Sequence, residues 1–190
     1  MEAFLISAGV VALAEIGDKT QLLALVLAAR YRKPVPIVFG ILVATLLNHA
    51  LAGSVGAVLA RMVDPKVLHW ALGLSFLAMA AWMLVPDKYE EQQAKPPRFG
   101  VFATTLFAFF LLEMGDKTQI ATVALAAKYP QLAAVVAGTT IGMMIANVPA
   151  VLLGEVAATK LPLRIVRGVC AAVFAVIGVL VLADGAFHFT

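Results

Sequence analysis

The chain has 190 residues, of which 63% are hydrophobic and 13% charged, with a net charge of +3. A soluble domain of this size carries roughly 45–50% apolar and about 25% charged residues, so much of the exterior, and not only a core, must face an apolar medium. The basic residues sit in short loops rather than along one face, which argues against nucleic-acid binding, and a lone cysteine, Cys170, excludes an internal disulfide and a thiolate metal cluster and reads as a small buried apolar residue.

A transmembrane helix needs roughly 20 mostly apolar residues to cross a hydrocarbon layer of roughly 30 Å. Six stretches qualify or nearly so: 4–29, 35–60, 67–85, 99–127, 131–154 and 165–187. The first begins within the N-terminal "MEAFLIS", which lacks a basic region, and is long for a signal peptide, so it is expected to stay in the membrane. It also carries "EIGDKTQ" at 15–21, a charged island in oily sequence. The second and third hold no charged residue, although the second contains Asn48 and His49 in mid-span, with His49 read as a helix-contact residue. A charged segment at 87–98 with Pro96 and Pro97 has no apolar period and reads as a cytoplasmic linker. The fourth span repeats the island as "EMGDKTQ" at 113–119. The fifth brings "GTTIG" at 138–142, a spacing suited to tight helix contact, then Asn147 and Pro149, which should kink it, and ends near an interfacial Glu155. Arg164 and Arg167 bound the sixth, where they can snorkel. His69 and His188 lie near span ends and are expected to face solvent or headgroups.

The two islands belong to a longer repeat. "AEIGDKTQLLALVLAARY" (14–31) matches "LEMGDKTQIATVALAAKY" (112–129) at an offset of 98, Gly40 and Gly138 keep the register, and one inserted residue aligns Asn48 with Asn147. Residues 1–190 form a single membrane domain with a first repeat at 1–86 and a second at 99–190. Three spans per repeat is an odd number, so the second repeat enters from the opposite side. The expected fold is an all-α integral membrane protein of six transmembrane helices in two inverted three-helix repeats, an arrangement common among secondary transporters with midplane sites. Outside the islands, nine basic residues (Arg30, Arg32, Lys33, Lys88, Lys95, Arg98, Lys160, Arg164 and Arg167) fall on one side of the membrane and three (Arg61, Lys66 and Lys128) on the other. The bias places the nine in the cytoplasm and both termini outside it.

Buried charge this deep needs a reason, because a carboxylate at the bilayer centre costs about 2.5–3.5 kcal/mol even on lenient scales. Glu15 with Asp18, and Glu113 with Asp116, are three residues apart and are expected to share a helical face as two carboxylate pairs. Lys19 and Lys117 follow the glutamates by four, the favourable order for an intrahelical pair. Four carboxylates less two ammonium groups leave −2, which one divalent cation or protons would neutralise. Thr20, Gln21, Thr118, Gln119, Asn48 and Asn147 offer neutral oxygens as supporting or pathway residues, and Gly17 and Gly115 could loosen the helix or serve close packing. An all-oxygen donor set favours hard ions such as Ca²⁺, Mg²⁺ and Mn²⁺.

With two copies of Glu-x-Gly-Asp-Lys-Thr in six spans, the chain resembles the family of Golgi-type manganese/calcium–proton antiporters and their bacterial and chloroplast relatives. The resemblance covers essentially the whole chain and looks like a compact bacterial member. It implies that Glu15, Asp18, Glu113 and Asp116 are the metal ligands, that Thr20, Gln21, Thr118 and Gln119 support them, and that the protein is a transporter and not an enzyme. Mn²⁺ or Ca²⁺ would be the transported substrate, the proton its counter-substrate, the lipid bilayer the surroundings, and no prosthetic group is implied. The expected location is a prokaryotic inner membrane, and a homo-oligomer is compatible with it. Two other readings share the acidic site: a passive divalent-cation channel, and a metal-dependent lipid pyrophosphate phosphatase, against which stands the lack of a phosphate-clamping arginine within the spans.

Overall fold

The computed structural model describes residues 1–85, 100–153 and 163–188. The expected linker at 87–98, Glu155 and the side chain of His188 lie outside the described residues. Within these limits the chain is helical, without strands: α1 (Glu2–Glu15), α2 (Lys19–Tyr31), α3 (Pro34–Met62), α4 (Pro65–Met83), α5 (Gly100–Glu113), α6 (Lys117–Lys128), α7 (Leu132–Leu153) and α8 (Leu163–His188).

Local sequence explains the boundaries. Pro34 and Pro65 open α3 and α4, where a missing N–H is harmless and the fixed φ suits a helix. Asp64 caps α4 by accepting the Lys66 N–H at 2.8 Å. Arg32 ends α2 in the left-handed region at φ 49°. The 29 residues of α3 extend about 43 Å at roughly 1.5 Å per residue. Three helices, Pro34–Met62, Pro65–Met83 and Leu132–Leu152, are each long and apolar enough to cross a membrane, while Gly100–Glu113 and Gly168–Asp184 are shorter apolar helices. Helix α7 continues through Pro149 to Leu153.

The first and fourth expected spans differ from the sequence-based picture. Neither is one helix: each is two helices meeting at the charged island, α1 with α2 and α5 with α6. Gly17 and Gly115 both take φ +79°, a left-handed conformation that stops a right-handed helix and favours glycine.

Packing follows the 98-residue offset. Helix α1 lies along α7 and α5 along α3, α2 touches α7 and α6 touches α3, and α4 pairs with α8. Gly138 makes room for the Phe4 carbonyl and Ser7, and Gly40 for the Phe102 carbonyl and Thr105, so a methyl at either position would collide. The "GTTIG" segment is a tight contact as expected: Gly142 meets the Ala8 carbonyl. One apolar cluster gathers Phe76, Phe174, Leu125 and Val10, and a second gathers Phe109, Leu27, Ile37 and Ile41. The outside is equally oily: Leu47, Leu51 and Val55 on α3, Phe107 and Leu111 on α5, and Val176 and Leu180 on α8 are all exposed. An exterior this apolar is stable against lipid and would drive aggregation in water.

Candidate functional site

The two helix breaks build the site. In the first, the Asp18 N–H bonds back to the Glu15 carbonyl at 3.0 Å; in the second, the Asp116 N–H bonds back to the Glu113 carbonyl at 3.1 Å. Asp18 (φ −80°, ψ 167°) and Asp116 (φ −82°, ψ 169°) then take the N-cap positions of α2 and α6. Each break leaves one glycine amide without a helical partner, and the motif glutamine supplies it. The Gly17 N–H donates to Gln21 Oε1 at 2.9 Å, and the Gly115 N–H to Gln119 Oε1 at 2.7 Å. Close packing, the other role open to these glycines, is not what Gly115 shows, since nothing lies within 4 Å of where its Cβ would be.

All four carboxylates are buried: Glu15 and Glu113 at 0%, Asp18 at 2% and Asp116 at 1% exposure. The two islands meet, since an ion pair runs from each to the other. The helical-face argument for pairing Glu15 with Asp18 does not hold, because the helix is interrupted between them. The break instead ties the two residues through the backbone. The expected intrahelical pairing is also corrected. Lys19 Nζ lies 2.7 Å from Asp116 Oδ1 and Lys117 Nζ lies 2.6 Å from Asp18 Oδ1, so each lysine crosses to the other half's aspartate. Both lysines sit at the first position of a helix that follows a break, and from there each reaches the aspartate of the opposite half.

Neither aspartate caps its own helix through its side chain. Glu113 Oε2 accepts from Thr118 Oγ1 at 2.8 Å, and Glu15 Oε1 accepts from Asn147 Nδ2 at 3.4 Å. Glu15 Oε2, Glu113 Oε1 and Asp116 Oδ2 are buried and accept no hydrogen bond. A buried acceptor left this way costs roughly 1–3 kcal/mol, and more when charged. Open, hard, anionic oxygens suit a cation of the oxygen-loving kind. Among the described residues, no three His, Cys, Asp or Glu side chains are already gathered to hold a metal ion; the two aspartates are turned toward lysines.

The neutral residues are less alike than the repeat suggests. Asn147 Nδ2 also contacts the Met143 carbonyl at 3.1 Å, while Asn48 Nδ2 donates to the Phe110 carbonyl at 2.9 Å. Gln119 Nε2 donates to Asn48 Oδ1 at 3.1 Å, and Gln21 Nε2 to the Ala146 carbonyl at 3.0 Å. Both glutamine oxygens are therefore engaged by glycine amides. Thr20 Oγ1 is buried without a hydrogen-bond partner, whereas Thr118 is bonded. His49 is fully buried, as a helix-contact residue would be, yet neither ring nitrogen has a hydrogen-bond partner. His69 differs from expectation: its ring meets the Val181 carbonyl on α8 rather than only solvent. Cys170 is buried and donates to the Leu13 carbonyl at 2.9 Å.

Sequence reading missed the anchoring carbonyls of Phe110 and Ala146, which no side-chain pattern reveals. It also missed buried Thr122, which donates to the Thr118 carbonyl at 2.7 Å; the signal was available, because Ala24 stands at the matching position of the first half. A cavity of about 670 Å³ between α1, α4, α6 and α8 is lined mainly by apolar residues such as Leu13, Leu72, Phe76 and Ile177, with Glu2, His69, Lys128 and Asp184 also on its wall, and none of the motif carboxylates lines it.

The family model described as "Divalent cation/proton antiporter GDT1" matches residues 3–91 and 101–188. A Vibrio cholerae protein described as "Putative manganese exporter" is 53% identical over 175 residues, covering 92% of this chain and 87% of that protein. GDT1-like protein 3 of Oryza sativa subsp. indica is 30% identical over 200 residues, 91% of this chain and 71% of its own length. GDT1-like protein 3 of Arabidopsis thaliana is 29% identical over 196 residues, 88% and 66% respectively. No solved structure matches the chain. With both motif-bearing halves matched, the chain belongs to the GDT1 family of divalent cation/proton antiporters.

Proposed function

We propose that the protein exports Mn²⁺ from the cytoplasm in exchange for protons, with Ca²⁺ as the second candidate ion. The observation that carries this reading is the burial of four carboxylates at two facing helix breaks, with oxygens on Glu15, Glu113 and Asp116 left open. Hard oxygen donors suit Mn²⁺ and Ca²⁺, and the 53% identity to a protein described as a manganese exporter favours Mn²⁺. Glu15, Asp18, Glu113 and Asp116 are the proposed ligands, with Asn147, Asn48 and the two threonines supporting them. The glutamines hold the breaks in shape.

The direction of transport sets the need for coupling. Moving a divalent ion out against 100 mV costs about 4.6 kcal/mol, at about 2.3 per charge. Carboxylates bind either a metal or protons, so protons arriving from outside displace the ion. The paired contacts of α1 with α7 and of α5 with α3 support two inverted repeats of three spans each, which would rock about the site to expose it alternately. In this reading the termini are outside the cytoplasm, the linker is inside, and no chemical bond is made or broken.

The test is Mn²⁺ flux in proteoliposomes under an imposed pH gradient. Flux that follows the gradient, and reverses with it, supports exchange. Flux indifferent to the gradient removes it in favour of a passive pathway.

A further inference from the structure

We propose that Lys19 and Lys117 are internal competitors of the transported ion, and that they set its affinity and its selectivity for double charge. This rests on the ion-site reading above and adds a role to residues that it needs only for charge balance.

The argument starts from the crossed pairs. Each ammonium touches the aspartate of the opposite half, at 2.7 and 2.6 Å, distances typical of charge-assisted contacts. The aspartates are buried, so each needs a positive partner at every stage. A divalent ion on the open Asp116 Oδ2 would stand beside the Lys19 ammonium on the other oxygen of the same carboxylate. Two cations cannot share so small and poorly screened a space. Ion entry therefore pushes the lysine off, and ion departure lets it return.

Two consequences follow. The two aspartates are never left bare, so the empty form can change conformation with both of their charges compensated. A monovalent ion also gains too little to displace a tethered ammonium of equal charge, whereas a divalent ion brings twice the charge. The two clamps are not equivalent: the Lys19 side chain is 23% exposed and that of Lys117 only 4%. In this state the Lys19–Asp116 clamp is the one nearer solvent, and it opens first.

The experiment measures Mn²⁺ affinity of the purified full-length protein, with and without excess Na⁺, for wild type, Lys19→Gln, Lys19→Arg and Glu15→Gln. The expected result is about tenfold tighter Mn²⁺ binding in Lys19→Gln, new inhibition by Na⁺, and near wild-type behaviour in Lys19→Arg, which keeps the charge. Affinity in folded Lys19→Gln equal to or weaker than wild type overturns the proposal. Should that variant not fold, acylation of Lys19 in the wild type decides: Mn²⁺ should speed labelling by freeing the amine, and unchanged or slower labelling overturns the proposal. Wild type that binds no Mn²⁺, or Glu15→Gln that binds as well as wild type, overturns the ion-site reading itself and this inference with it. Loss in Glu15→Gln without a gain in Lys19→Gln overturns only the lysine role.

Discussion

At the scale of single residues, the crossed ion pairs give an asymmetric stability prediction. Asp18→Asn leaves Lys117 buried without its carboxylate, and breaking such a pair costs about 3–5 kcal/mol. Asp116→Asn leaves Lys19, which retains more contact with solvent, so its loss should be about half as large. Thermal unfolding in detergent checks this: Asp18→Asn should melt clearly below Asp116→Asn, and equal melting would contradict the asymmetry. Glu15→Gln and Glu113→Gln remove charge without changing shape, and each should abolish Mn²⁺ transport while the protein still folds. Asn147→Ala removes a group that orients Glu15 and should weaken Mn²⁺ binding about tenfold, as supporting residues around metal ligands do. The identities of these residues were legible in the sequence because charge in an apolar run needs a reason. Their partners were not. Lys19 was expected to turn to Glu15 along a helix, and only the break and the facing half show why it reaches Asp116.

At the scale of elements, the sequence displayed the apolar runs but hid the interruptions within two of them. Residues 4–29 read as one span because the apolar runs on either side of the island together make a spanning length. A single glycine decides the matter: at φ +79° the chain leaves the helix and re-enters it at Asp18. Gly115→Ala has room for its methyl, so its penalty is conformational, roughly 1–2 kcal/mol. Gly9→Ala, also with room but inside α1, should be neutral or slightly stabilising, by about 0.5–1 kcal/mol. Melting temperatures of the two variants should therefore move apart, and a Gly115→Ala variant as stable as Gly9→Ala would contradict the assigned backbone. The Gly138 contact belongs to the same scale. It was legible as small-residue spacing, and the Phe4 carbonyl is what fills it.

At the scale of the whole molecule, the doubled motif and the 98-residue offset announced two related halves, and the packing of α1 on α7 and α5 on α3 repeats that relation in space. What the offset could not announce is where the halves differ. His49, Thr122 and the unequal exposure of the two lysines break the symmetry. The central claim is that both motifs serve one cation, and Mn²⁺ titration followed by electron paramagnetic resonance tests it most directly. The account predicts one tightly bound Mn²⁺ per chain in the wild type and none in either Glu15→Gln or Glu113→Gln. Two bound ions per chain, with each substitution removing only one, would show that the halves work as separate sites and would contradict it.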